Sequence, residues 1–282
     1  MYVEQFRLTR NFAFFRARGS DEPHDLHIHD CLEIGALLED ELEYRFGGRT
    51  YHARPGDVFL CRPFEPHWSF AKPGGRFEQI IALFAPAAVR ALPDRARLLT
   101  PFYAGADVPP VIPGDSPFAR RILNASKLAM ETQERGDPAW VTRQFMHLID
   151  ILLQVEAYAR ETRQANPTGA SPRGDEVADW VGLLLDAYRD PEAGERVQRE
   201  AGVSRTLFYR QFRRMTGLSP QAFINRLRVQ TAMDALRATD EPIIELAASS
   251  GFQSLSAFNK QFRAYVGCSP REYRAKYRTS PQ

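Results

Sequence analysis

The stretches "SRTLFYRQFRRMTGLSPQAF" (204–223) and "SLSAFNKQFRAYVGCSPREY" (254–273) align without a gap at an offset of 50 residues. Ser204 matches Ser254, Phe208 matches Phe258, Arg210 matches Lys260, and Gln211 matches Gln261. Phe212-Arg213, Gly217 and Ser219-Pro220 match Phe262-Arg263, Gly267 and Ser269-Pro270. Self-similarity at a fixed offset marks a duplicated structural unit. Upstream, "REAGVS" (199–204) parallels "SSGFQS" (249–254), with one extra residue in the second copy. Each copy predicts a short helix that ends at a glycine, Gly202 or Gly251, able to take the left-handed conformation of a tight turn. A serine then caps a second helix. Within that helix the pairs Phe208/Phe212 and Phe258/Phe262 share one inward face.

The opposite face carries Arg205, Thr206, Tyr209, Arg210 and Arg213 in the first copy, and Leu255, Ser256, Asn259, Lys260 and Arg263 in the second. Basic and polar groups on a helix that projects after a glycine turn make a helix-turn-helix reader of the major groove. The charge balance agrees. The chain carries a net +2, but residues 166–282 hold 17 Lys/Arg against 13 Asp/Glu. No acid falls between Ala201 and Met233, where Arg205, Arg210, Arg213, Arg214, Arg226 and Arg228 all lie. Such a run is either a solvated basic face or an electrostatic footprint for phosphates. Duplication, capping and one-sided charge together favour the second reading over two helical hairpins with no DNA role.

The first 85 residues have a different rhythm. "EYRFGGRTYHA" (43–53) reads as two strands joined by Gly47-Gly48, and "RPGD" (54–57) is a turn before the apolar run "VFLC". "FEQIIALF" (77–84) is a further strand, and short strands punctuated by Gly and Pro suggest a sandwich or barrel over about residues 1–110. From residue 116 the period becomes helical. Ser116 and Pro117 open one helix, and Asp137 and Pro138 open another after Gly136. Val141, Phe145, Leu148, Leu152 and Val155 form an apolar stripe that either packs on its own domain or is a dimer seam. "QANPTGASPRGD" (164–175) reads as a linker. The fold class is thus α+β multidomain. A β-barrel with a helical hairpin (domain 1–163, hairpin 116–163) precedes an all-α domain with two helix-turn-helix units (176–282).

"HIHDCLEI" (27–34) carries the other chemistry. His27, His29 and Glu33 are all odd-numbered, so an unbroken strand would point them the same way. His67, in "RPFEPHWSF", can close the set from across the barrel. Three imidazoles and a carboxylate suit zinc, nickel or iron. The same groups can instead hydrogen-bond a metal-free organic effector, or serve structure alone. His24, His52 and His147 are isolated. The three cysteines, Cys31, Cys61 and Cys268, are scattered, which argues against a disulfide framework or a cysteine metal site. No apolar window of about 18 residues exists to span a membrane, and "MYVEQFRLTR" lacks the order of a signal peptide. A reduced, cytoplasmic setting is expected.

"IIELAASSGFQSLSAFNKQFRAYVGCSPREYR" (243–274) resembles the second helix-turn-helix of AraC-family transcription regulators, and the likeness extends over roughly residues 176–278. It implies two units joined by a long helix, about Pro220–Arg237, entering successive major-groove segments of promoter DNA. By position, Thr206, Tyr209 and Arg210 match base or phosphate readers in the first unit, and Leu255, Ser256 and Lys260 in the second. The first unit departs from the pattern: Val197-Gln198 stands where Leu246-Ala247 supplies a Leu-Ala pair, and the bulky glutamine is expected to disturb the docking of its recognition helix. "HIHDCLEI", the "PGD" turn and "RPFEPHWSF" resemble a cupin-like sensor domain, although Asp21 and Asp40 replace the usual cupin glycines. The resemblance implies a small-molecule effector, with a saccharide the first expectation, held by His27, His29, Glu33, His67 and Trp68. A divalent transition metal (Zn, Ni or Fe), a homodimer and RNA polymerase complete the expected partners. The expected function is sequence-specific regulation of transcription, with activation and repression both open, by a protein that is not an enzyme. The alternative is a cupin-type metalloenzyme fused to a DNA-binding domain.

Overall fold

The computed structural model describes residues 2–3, 8, 10–21, 27–29, 31–46, 49–103, 108–165 and 172–278. Gly47-Gly48 and His24 lie outside them. Among the described residues, ten strands run through the N-terminal half: β1 (Tyr2–Val3), β2 (Phe12–Ser20), β3 (His27–Ile28), β4 (Leu32–Glu39), β5 (Leu42–Phe46), β6 (Arg49–Ala53), β7 (Val58–Cys61), β8 (His67–Ala71), β9 (Arg76–Phe84) and β10 (Val111–Ile112). They form two five-stranded sheets, ordered β1-β3-β8-β5-β6 and β10-β7-β4-β9-β2. Among the described residues no ladder joins the two into one closed sheet.

Local sequence explains the strands. In β5, Leu42, Tyr44 and Phe46 are buried while Glu43 and Arg45 point outward, the alternation of a half-buried strand. β4, "LEIGALLE", is buried from Leu32 to Leu37 because it lies between β7 and β9 in the centre of its sheet. Leu37, Tyr44, Phe46, Phe59 and Phe77 belong to one buried core in this half. The "RPGD" turn forms as expected: the Asp57 carboxylate accepts from the Arg54 N–H at 2.9 Å, and Gly56 sits at φ 97°. Asp40 adopts φ 61°, the left-handed conformation a glycine would have taken, which aspartate tolerates better than most residues. Asp21 instead accepts the Gly74 N–H at 2.7 Å.

After a short helix α1 (Arg95–Tyr103), the hairpin consists of α2 (Pro117–Glu134) and α3 (Trp140–Ala165). Ser116 caps α2 by accepting from the Ala119 N–H, with Pro117 in the first turn. α3 starts two residues later than its Asp137-Pro138 signal. Leu148, Leu152 and Val155 are fully buried within this chain, and Phe145 meets Phe12 at 5.5 Å. That side of the stripe is core. The large apolar side chains left exposed on the hairpin are Leu128, Met146 and Leu153.

The helical half comprises α4 (Pro172–Ala187), α5 (Ala193–Glu200), α6 (Arg205–Thr216), α7 (Pro220–Ala238), α8 (Ile243–Ser249), α9 (Leu255–Val266) and α10 (Pro270–Arg278). Helix α3 runs to Ala165 and α4 starts at Pro172, so helices occupy both ends of the stretch expected as linker. Contacts divide the chain between Ala178 and Asp179, and assign Thr9–Asn11 and Pro86–Pro93 to the second unit. No helix of the described residues is long and apolar enough to cross a membrane.

Ser204, Ser219 and Ser254 cap α6, α7 and α9 with their side chains. Phe208, Phe212, Phe258 and Phe262 are completely buried. The two turn glycines differ. Gly202 has φ 65° and nothing within 4 Å of an added Cβ, whereas Gly251 has φ 94° and an added Cβ would lie 2.8 Å from Arg189 Cα. Gly202→Ala is therefore expected to cost about 1–2 kcal/mol, the penalty of a left-handed L-residue. Gly251→Ala should cost clearly more, because backbone has to move as well. Urea unfolding of both variants checks the order, and equal losses would contradict it.

Candidate functional site

β3 and β8 are neighbours, and His27 stands directly opposite His67 in their antiparallel register. Glu33 comes from β4, in the other sheet. The strand expected through 27–33 is interrupted: β3 stops at Ile28 and β4 begins at Leu32. His29 sits in the break. The four side chains still converge, with one donor atom from each within 4.8 Å of the others, and all four are buried. His67 thus joins His27 from the same sheet, and Glu33 closes the set from across.

Hydrogen bonds orient the imidazoles. The Nδ1 of His29 lies 3.0 Å from the Cys31 carbonyl, and the Nδ1 of His67 lies 2.7 Å from the Glu65 carbonyl. A carbonyl only accepts, so each Nδ1 carries the proton and each Nε2 turns inward. Both face the same Glu33 oxygen, Oε2, at 3.0 Å from His29 and 3.7 Å from His67. The other oxygen, Oε1, accepts from the Tyr44 hydroxyl at 3.2 Å, with the Cys61 thiol at 3.7 Å.

A lone pair aimed at a carboxylate needs a cation or a proton between them. Without a metal the proton serves. Burial alone would raise Glu33, yet the hydrogen bond to His29 and the nearby His67 imidazole hold it well below the usual carboxylate range. Burial would lower His67, but Cys61 and Glu33 outweigh it and hold the imidazole well above its ordinary value. Burial and the Glu33 charge push the Cys61 thiol up to about 12, so the charge that acts at neutral pH is Glu33. His27 is lowered to about 3 by burial and by His67.

The group opens onto a cavity of about 220 Å³. His27, Glu33 and His67 line it, with Tyr44, Trp68 and Gln79. Trp68 meets His27 edge-on at 4.7 Å. The sequence reading missed Tyr44, Cys61 and Gln79. Tyr44 was detectable: an inward tyrosine in an alternating strand needs a partner for its hydroxyl. Gln79 and Cys61 carry no such local signal. His52 is exposed, 3.9 Å from Glu43, and His147 lies on α3, away from the group.

In the helical unit, Arg205, Thr206, Arg210, Arg213, Leu255, Ser256, Asn259 and Lys260 are exposed, and Tyr209 is half-buried under the Arg205 guanidinium at 5.5 Å. Two members of the basic run have other work. Arg228 is buried and donates to the Tyr188 and Asp190 carbonyls at 2.6 and 2.9 Å, tying α7 to the end of α4. Arg226 lies over the Tyr265 ring at 4.6 Å. Gln198 donates to the Val203 carbonyl at 2.7 Å, which braces the turn before α6.

Comparison with known proteins places both halves. Residues 11–171 match the family described as AraC-like ligand binding domain, and residues 197–276 match Helix-turn-helix domain. The HTH-type transcriptional activator RhaS of Escherichia coli (strain SE11) is 25% identical over 259 residues, covering 88% of this chain and 86% of its own. The DNA-binding domain of AdpA, solved with a target DNA, is 34% identical over 36% of this chain and 93% of that one, with a TM-score of 0.35. A ToxT structure from Vibrio cholerae is 12% identical over 94% of this chain and 98% of that one, with a TM-score of 0.43. With the ligand-binding match spanning more than half its length and a duplicated helix-turn-helix behind it, the chain belongs to the AraC family of transcription regulators.

Proposed function

We propose that this protein is an effector-responsive activator of transcription, with a sensor domain over 1–163, a linker over 164–175 and a DNA-binding domain over 176–282. One observation carries the reading: a buried three-histidine, one-glutamate group opens onto a cavity in a chain that also presents two exposed recognition helices. His27, His29, Glu33, His67 and Trp68 receive the effector, and the same His/Glu set holds a divalent transition ion, zinc, nickel or iron. The 220 Å³ cavity is smaller than the ~300–1,000 Å³ typical of drug-sized ligands, and its mixed aromatic and polar wall suits a molecule of monosaccharide size. The activator sign follows the name of the RhaS relative, and implies a contact with RNA polymerase in the cytoplasm.

Arg205, Thr206, Tyr209, Arg210 and Arg213 contact one major-groove segment, and Leu255, Ser256, Asn259 and Lys260 the next. Their unlike chemistry means that the two segments differ in sequence. Leu128, Met146 and Leu153 form the seam of a homodimer, since they are the exposed large apolar residues of the hairpin. The pocket senses and does not turn over its ligand. A cupin-type metalloenzyme fused to a DNA-binding domain is the second reading, favoured only by the metal-capable set, and product formation by the purified chain would reveal it.

Three outcomes test the proposal. Lys260→Ala should weaken binding to the operator by about 1–3 kcal/mol and relax selectivity at one position. Unchanged affinity and selectivity would remove α9 from the groove. Met146→Glu with Leu153→Glu should convert a sedimenting dimer into a folded monomer, since carboxylates buried at a seam are costly. A dimer that persists places the seam elsewhere. The double change His29→Ala and His67→Ala should abolish the effector's influence on a reporter while operator binding by the purified chain survives. A normal response would show that the pocket is not the sensor.

A further inference from the structure

The His/Glu group offers four ligands, and its accessibility is one-sided. His29 is fully buried at the back, while His27, Glu33 and His67 line the cavity. Both inward Nε2 atoms are preset by carbonyl contacts at the ring's far side, the arrangement that orients histidines toward metals. Glu33 is divided between two tasks. Tyr44 takes Oε1, leaving Oε2 for whatever the imidazoles face. A four-ligand set of this kind has two possible fates. A tetrahedral ion would be closed, as in structural zinc sites. A six-coordinate ion would keep two positions for another ligand, the preference of nickel or iron(II) over zinc.

Features of the cavity favour the open form. Gln79 is buried, yet its Oε1 has no hydrogen-bond partner. That oxygen occupies the space beside Gly35, where an added Cβ would stand 3.2 Å from it. Gln79 lines the same cavity as three of the four ligands. A buried acceptor left unpaired carries a substantial desolvation cost unless something donates to it. A divalent ion opposed by Glu33 alone would also leave one positive charge at the cavity's inner end, which favours an anionic ligand.

Resting on the metal-binding reading above, we propose that the effector is a small oxygen chelator that completes the coordination of a six-coordinate ion held by His27, His29, Glu33 and His67, while a hydroxyl of the effector donates to Gln79. Tyr44 is a positioning residue that fixes Glu33. The shared chemistry is a pair of adjacent oxygens, which a neutral vicinal diol or a hydroxycarboxylate can offer, and the residual charge selects the hydroxycarboxylate.

The full-length protein can be loaded with Co²⁺, whose visible spectrum reports coordination number directly. Acetohydroxamate, a bidentate oxygen ligand, serves as the chelating probe. Glycolate and ethylene glycol are a matched anionic and neutral pair. The expected result is a weak six-coordinate spectrum that shifts on adding acetohydroxamate, with glycolate binding at least about tenfold tighter than ethylene glycol, equivalent to about 1.4 kcal/mol. Gln79→Leu should weaken glycolate without altering cobalt affinity. Tyr44→Phe should weaken cobalt by roughly 10–100-fold, the usual effect of losing an outer partner. Circular dichroism confirms that each variant is folded.

An intense tetrahedral spectrum unmoved by acetohydroxamate overturns this inference and leaves a closed metal site standing. Cobalt binding no tighter than that of Glu33→Gln removes the metal, and the inference with it. Equal binding of glycolate and ethylene glycol overturns the selection of an anion and assigns the pocket to neutral diols.

Discussion

A carboxylate buried between two sheets dictates the inner architecture of the sensor. Glu33 is 3% exposed, and a bare charge in that position would be prohibitive. The structure compensates it from every side. Tyr44 and Cys61 approach one oxygen, and His29 and His67 face the other. Removing one partner of a buried ion pair costs about 3–5 kcal/mol, a large share of a domain's stability. Hydrophobic residues of similar volume would fill the same space at lower risk. Polar groups stand instead where the site opens on a cavity.

The helical half obeys a different constraint, that of presenting two helices from a repeated unit. Capping serines and buried phenylalanine pairs recur at equivalent places, so each recognition helix has the same inward support. The outward faces are free to diverge, and they do: Arg205 is opposed by Leu255, and Tyr209 by Asn259. The turns diverge too. Gln198 braces the first through the Val203 carbonyl, while Gly251 lets the second approach Arg189 without a side chain in between. Arg228, seated between Gly251 and the Tyr188 and Asp190 carbonyls, shows that a cation in a basic run can be wholly structural.

The repeat was legible because its signals are local. A serine cap, a left-handed glycine and an i,i+4 phenylalanine pair lie within one or two turns of helix, and each formed as read. The His/Glu group was legible for a weaker reason. The reading rested on an unbroken strand with alternating faces, and the chain breaks at His29. Convergence survived because the Cys31 carbonyl turns the His29 ring inward, a contact that no spacing rule predicts. The role of Gln79 was out of reach, since it depends on Gly35 in a neighbouring strand leaving room for it. The apolar stripe of α3 was ambiguous by periodicity alone. Periodicity puts Leu152 on the stripe and Leu153 off it, but only burial shows that the stripe is covered by its own domain.

These features limit how a small ligand could act. An effector shifts a conformational equilibrium only by its difference in affinity for the two states. Moving a population from 1:99 to 99:1 requires about 5.5 kcal/mol of such difference. A cavity of 220 Å³ offers little apolar area from which to draw that energy. Hydrogen bonds to charged groups contribute about 1.5–3 kcal/mol each, and leaving a buried polar atom unpaired adds a further penalty to the empty state. A pocket lined by Glu33, two imidazoles and an unpaired Gln79 oxygen concentrates such terms at one end. A few polar contacts made there in one state and lost in the other would be enough to supply such a difference, more than a greasy pocket of the same size would offer.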